Sequence, residues 1–246
     1  MDFAGDLTKT SKWELLHLKE VPYWHKAGSG IQEVFNRLKA SGGKTLHQMD
    51  TQTVEVWAAT ILALAMQHRE EKIFWLGKPK DDPPDMAIMT ITERGIFSAR
   101  EIEVTRCRHA NEELITNILK KDRENLLSEK YLLCGFVEVP GKYDLMKMGK
   151  DLQSKLVNIK NVILVLHGVG LSDSSDEVDT SKIKNLWTVV QISPVFDAIT
   201  VDVELEYKKW LDDPDKLRYT KNQQIYAGKR ISDEPYPTLL PDTPIL

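Results

Sequence analysis

Apolar residues along this chain follow two spacings, and the switch between them marks the elements. Ile31, Val34, Phe35 and Leu38 recur at three- and four-residue intervals and predict a helix, ended by Ser41-Gly42-Gly43, whose glycines supply left-handed and flexible backbone. Asp50 stands as an N-cap with Thr51 and Thr53 behind it. Val54, Trp57, Ile61, Leu64 and His68 then predict an amphipathic helix lying on a core and running to about Arg69. Beyond it the period shortens. Residues 72–76 (KIFWL) predict a strand stopped by Gly77 and the loop KPKDDPP. Residues 85–92 (DMAIMTIT) predict a second strand, turned by Glu93-Arg94-Gly95, and residues 96–107 a third. Helical spacing returns over 110–128, with Leu114, Ile115, Ile118 and Leu126 on one face. Residues 131–139 (YLLCGFVEV) predict a buried strand closed by Pro140-Gly141, and residues 144–157 a basic helix. Residues 162–166 (VILVL) form an apolar run too short for a helix and typical of a strand covered on both faces. A Gly/Ser/Asp loop over 168–180 and late strands at 187–192 and 198–205 complete the pattern.

The middle of the chain thus reads α-β-β-β-α-β, followed by a further helix and strand. Alternation of helices and strands in the later half predicts that part of the sheet is parallel. Three regions are expected: an N-terminal helical extension over 1–49, with a short helix at 12–19; an α/β domain over 50–212; and an irregular, proline-spotted tail over 213–246. With 41% hydrophobic and 28% charged residues in 246, the composition is that of a folded globular chain, not a disordered or fibrous one. Two separated cysteines, Cys107 and Cys134, speak against a disulfide framework or a cysteine zinc site. The longest apolar stretch, at 58–66, falls short of the roughly 18 residues a membrane span requires. The first residues lack the basic-then-apolar order of a secretory leader, so a cytoplasmic location is expected.

Net charge is −4, from 33 basic and 37 acidic residues, which excludes a uniformly electropositive surface. The charge is unevenly spread. Between 140 and 160, five lysines stand against Asp144 and Asp151, a local balance of +3; between 196 and 215, seven acids stand against Lys208 and Lys209, a balance of −5. Lys147, Lys150 and Lys155 are expected to share one broad helix face suited to phosphate.

Two stretches bear on chemistry: Pro83-Pro84-Asp85 at the mouth of the second strand, and Glu101, Glu103 and Thr105 on one face of the third. A hairpin would bring Asp85 beside that acidic face. Clustered carboxylates repel unless a cation neutralises them, and Mg²⁺ prefers one or two carboxylates plus water. The helix from Asp50 adds Glu55, with small neighbours Ala58, Ala59 and Ala63 permitting close approach.

This order of elements and motifs, over about residues 50–139, resembles the core of the PD-(D/E)XK, or restriction-endonuclease-like, superfamily. The resemblance implies a mixed sheet flanked by helices and a metal-dependent DNA endonuclease using Mg²⁺ or Mn²⁺. Asp85 matches the motif aspartate, Glu103 the acid of the (D/E)-X-K element, and Glu55 is similar to the acid many members carry on the preceding helix. Asp85 and Glu103 would hold the metal, with Glu55 or Glu101 assisting. The motif lysine is replaced by Thr105, which donates a hydrogen bond but brings no positive charge. Arg106 is expected on the opposite face, so Lys120 or Lys121, on the following helix, would supply the charge. The alternative is a catalytically inactive nuclease-fold module that binds DNA or another protein, with Thr105 as the trace of lost chemistry. DNA is the expected partner, and a homodimer or protein partner is compatible with the pattern.

Other constellations carry less. His109, Asn111 and Glu112 open a helix and suit capping. His167-Gly168-Val169-Gly170 lacks the spacing of a dinucleotide loop. His17, His25, His47 and His68 have no metal-ligand spacing. The six tryptophans are expected mostly in the core.

Overall fold

Parallel strands need a crossover connection, usually a helix, whereas antiparallel strands can be joined by a tight turn, and this chain pairs strands in both ways within one sheet. The structure is a computed structural model, describing residues 24–79, 85–91, 97–107, 112–123, 131–157, 161–171, 185–193 and 196–212. In chain order the elements are β1 (Trp24–Lys26), α1 (Ala27–Ala40), α2 (Thr51–Glu70), β2 (Phe74–Gly77), β3 (Met86–Ile91), β4 (Phe97–Cys107) and α3 (Glu112–Arg123). They continue as β5 (Tyr131–Asp144), α4 (Leu145–Gln153), β6 (Val162–Leu171), β7 (Leu186–Ser193), β8 (Asp197–Asp202) and α5 (Val203–Asp212). Among the described residues, eight strands lie in one sheet in the order of the chain. β1 to β4 pair antiparallel; β4, β5 and β6, joined through α3 and α4, pair parallel; β7 and β8 return antiparallel. The protein is therefore α/β with a mixed sheet flanked by helices.

The parallel centre is covered on both faces, which is why residues 132–138 of β5 and 162–166 of β6 are buried without alternation. Their side chains still alternate between two cores. On one side Ile102, Leu132, Cys134, Phe136, Ile163, Val165, Trp187 and Val189 meet α1, α2 and Val203 of α5. On the other, Cys107, Leu133, Val137, Leu164, Leu166 and Val190 meet Leu114 and Ile118 of α3 and Leu152 of α4.

The expected amphipathic helix is α2, but it is not amphipathic in place: every residue from Thr53 to Met66 is buried. The sheet lies on one side of it and α1 packs across the other, with Val203 of α5 joining the same core. Asp50 caps it, its Oδ1 accepting from Thr53 N–H at 2.9 Å and its Oδ2 from Thr53 Oγ1 at 2.8 Å. These hydrogen bonds hold the Asp50 carboxyl below its ordinary value. At the end of α1, Gly42 and Gly43 take φ of +75° and +97°, the left-handed conformation expected after a helix.

Several boundaries differ from the pattern. Residues 24–49, expected in an extension, supply the edge strand and a helix of the main core. The late strand predicted over 198–205 stops at Asp202, whose Oδ1 accepts from Leu205 N–H at 3.1 Å and starts α5 instead. β5 continues through Pro140-Gly141 to Asp144, because a register shift between Val137 and Gly141 absorbs the proline. The expected helix at 12–19, the Pro83-Pro84 pair, the turn at 93–95, most of the loop at 168–180 and the tail at 213–246 lie outside the described residues. Among the described residues, no helix is long and apolar enough to cross a membrane.

Candidate functional site

β3 and β4 pair Met86 with Ile102 and Ala87 with Glu101, so one step further Asp85 stands across from Glu103. The ladder changes character there. Asp85 N–H donates to Ile102 O at 3.1 Å, and Asp85 Oδ2 accepts from Val104 N–H at 2.7 Å, taking the place of a ladder carbonyl. Asp85 is thereby fixed at the strand mouth, and it is 8% exposed.

Alternation along β4 puts Ile102 in the core on the α2 side and Cys107 in the core on the α3 side. Glu101, Glu103 and Thr105 share the parity of Cys107 and so face α3. All three are buried. Glu103 Oε1 accepts from Lys121 Nζ at 2.8 Å, while Glu103 Oε2 is buried and has no hydrogen-bond partner among the described residues.

A missing side chain allows that contact. Thr105 pairs with Gly135 of β5, and a Cβ at Gly135 would meet Leu164 at 2.8 Å, Ile118 at 3.0 Å and Leu114 at 3.1 Å. Gly135 thus lets α3 lie close against the sheet beside the acidic face. Of the two candidate lysines, Lys121 is turned to Glu103, whereas Lys120 is exposed.

Glu55 is not brought to this face. It belongs to α2, which covers the other side of the sheet, and its Oε2 accepts from Lys78 Nζ at 2.9 Å. Arg106 also faces the α2 side, as expected: it forms an ion pair with buried Glu138 and donates through Nη1 to Met49 O at 3.4 Å. Among the described residues no three His, Cys, Asp or Glu side chains are grouped to hold a metal, so the expected three-carboxylate convergence is not formed. A two-carboxylate site is the arrangement that the geometry leaves. Glu103 Oε2 is a buried acceptor with no donor among the described residues, and with Asp85 opposite it offers the one or two carboxylates that Mg²⁺ takes alongside water.

The basic helix is α4, with Lys147 and Lys150 exposed. It is shorter than expected and ends at Gln153, so Lys155 lies in the turn beyond it rather than on its face. The signal that sequence reasoning missed is Gly135: a glycine inside a buried strand marks a place where another element approaches closely. No family model, no curated protein and no solved structure matches this chain.

Proposed function

We propose that this protein is a metal-dependent DNA endonuclease of the restriction-endonuclease-like kind, with the motif lysine's charge supplied from α3. The observation that carries the reading is the Lys121 ammonium 2.8 Å from Glu103 Oε1, on the face where Thr105 leaves the positive charge missing. Further support comes from the element order α2-β2-β3-β4-α3-β5, with an antiparallel meander followed by a parallel strand, as in the α-β-β-β-α-β core.

In this reading Asp85 and Glu103 hold Mg²⁺ or Mn²⁺, which when bound supplies a Lewis acid and lowers the pKa of bound water. Lys121 holds Glu103 in place and stabilises negative charge building on a phosphate. Thr105 donates a hydrogen bond beside them, and Glu101 adds negative potential that favours a divalent ion. Exposed Lys147 and Lys150 on α4 offer phosphate contacts.

The second reading, a silent nuclease-fold module that binds DNA or protein, is favoured by one specific observation: the Lys121 ammonium occupies one of the two Glu103 oxygens that a metal would need. Assays with Mg²⁺ and Mn²⁺ on supercoiled, linear and single-stranded DNA separate the two. Asp85→Asn is expected to abolish cleavage. Lys121→Ala is expected to slow it by about 100-fold or more, the scale of losing one charge-stabilising donor. Folded protein that neither cuts DNA nor takes up Mn²⁺ by calorimetry would exclude the enzyme.

A further inference from the structure

On the opposite face of the sheet, α1 and its connection to α2, α2, the end of β5, β6, β7 and α5 line a solvent-open cavity of about 610 Å³, within the range of small-molecule sites. Five rings line it: Phe35, Trp57, Trp187, Tyr207 and His167. Phe35 meets Trp57 at a centroid distance of 6.0 Å and Tyr207 at 5.1 Å, and Trp57 meets Trp187 at 5.9 Å. Trp187 lies parallel to His167, with centroids 4.3 Å apart and planes 2° apart, and stacks on Phe136 at 5.3 Å. His167 Nδ1 is hydrogen-bonded with Glu138 O at 3.0 Å, so the stacked pair is held from the strand behind it. Trp187, already stacked on two rings, and Trp57, 5% exposed, form the floor, while Phe35, 36% exposed, and partly exposed Tyr207 are the rings left to meet a flat ligand.

The charge on the lining is as informative as its shape. Two acids reach it, and both are already matched. Glu138 is paired with Arg106, while Glu204 accepts from Lys208 Nζ and from Asn185 Nδ2, each at 2.8 Å. Lys44 is the remaining charged group of the lining, exposed, and its ammonium forms no ion pair among the described residues. Its place is set by the left-handed Gly42-Gly43 step and by its N–H donating to Ser41 Oγ at 3.2 Å. The cavity therefore joins aromatic walls to one uncompensated positive charge.

We propose that this cavity binds a nucleotide, with the base against Phe35 and Tyr207 over the floor made by Trp57 and Trp187 and the phosphate at Lys44. The shared chemistry is a flat heteroaromatic ring bearing phosphate, arriving as a free nucleotide or as the end of a strand. The site shares no residue with Asp85, Glu103 or Lys121, so it stands or falls apart from the nuclease reading.

Calorimetry and tryptophan fluorescence of the full chain test it, with AMP, CMP, adenosine, ribose 5-phosphate and a 5′-phosphorylated oligodeoxynucleotide as probes. AMP or CMP is expected to bind and change the fluorescence, more weakly as salt rises. Adenosine and ribose 5-phosphate, each lacking one half of the recognised chemistry, are expected to bind about tenfold or more weakly. Lys44→Glu and Phe35→Ala alter exposed or half-exposed side chains, and each is expected to weaken binding about tenfold, with circular dichroism confirming the fold. Preference for the oligodeoxynucleotide assigns the site to a strand end, and preference for AMP or CMP assigns it to a free nucleotide. No binding of any phosphorylated probe at millimolar concentration, or binding unchanged in both variants, would overturn the proposal.

Discussion

The two oxygens of Glu103 have different surroundings, and that difference has measurable consequences. Oε1 has the Lys121 ammonium and Oε2 has no hydrogen bond among the described residues, although the residue is only 7% exposed. Lys121→Ala leaves a buried carboxylate without its cation, and a loss of about 1–3 kcal/mol in urea unfolding is expected. If Glu103 also takes a divalent ion, Mn²⁺ should raise the melting temperature of Lys121→Ala more than that of the parent protein. Equal shifts in the two proteins would separate Glu103 from any metal. The thiols are a second case. Burial pushes Cys134 up to about 12, with the Asp85 charge adding to it, and burial also raises Cys107. Neither thiol is a nucleophile at neutral pH. Ellman's reagent is expected to find almost no reactive cysteine in the native protein at pH 8, and two after unfolding in guanidinium. The facing of Asp85 and Glu103 was legible in advance, since a hairpin and a two-residue alternation determine it. The choice of Lys121 over Lys120 was not, because it depends on how α3 is rotated against Gly135, which no local spacing encodes.

Single elements show where local chemistry decides and where packing does. Asp50 caps α2 with two bonds to the Thr53 backbone and side chain, so Asp50→Ala is expected to cost about 1 kcal/mol in chemical denaturation. The carboxyl is held lower in the folded chain than in the unfolded one. Its contribution is therefore fully present above the unfolded value of roughly 3.9 and is lost as pH falls through the depressed folded value. The Asp50→Ala penalty should accordingly shrink in acid, measured between pH 5 and pH 2.5. On α4, changing both Lys147 and Lys150 to Ala should lower the salt slope of DNA binding by up to about 2, if both contact phosphate. Lys155→Ala, beyond the helix, should change that slope less. The N-caps were readable at Asp50 but not at Asp202, where β-branched residues 199–201 run straight into Val203 and hide the change of period. Pro140-Gly141 misled for a related reason: proline ends a regular ladder but fits a bulge.

At the scale of the whole molecule, the parallel centre was legible from helices alternating with strands, whereas the burial of α2 was not. The spacing from Val54 to Leu64 describes one apolar face, and only the assembled chain shows that α1, with Val203 of α5, packs against the rest. Contacts between those two helices span most of the sequence: Tyr207 Oη donates to Gln32 Oε1 at 2.6 Å, and Tyr207 packs edge-on against Phe35 at 5.1 Å. Ile61→Ala, in the middle of α2 and fully buried, is expected to cost about 2–5 kcal/mol and to leave the β3–β4 site intact in the protein that remains folded. Because strand order equals chain order, each new strand finds its neighbour already made, so the sheet can assemble from one edge as the polypeptide leaves the ribosome. The helix at its heart does not share that advantage. α2 is synthesised early, but Val201 of β8 and Val203 of α5, which complete its core, follow more than 130 residues later, roughly 7–26 s at ordinary elongation rates. During that interval its apolar surface remains incompletely covered, and the nascent chain keeps exposed the kind of surface that chaperones bind until β8 and α5 have emerged.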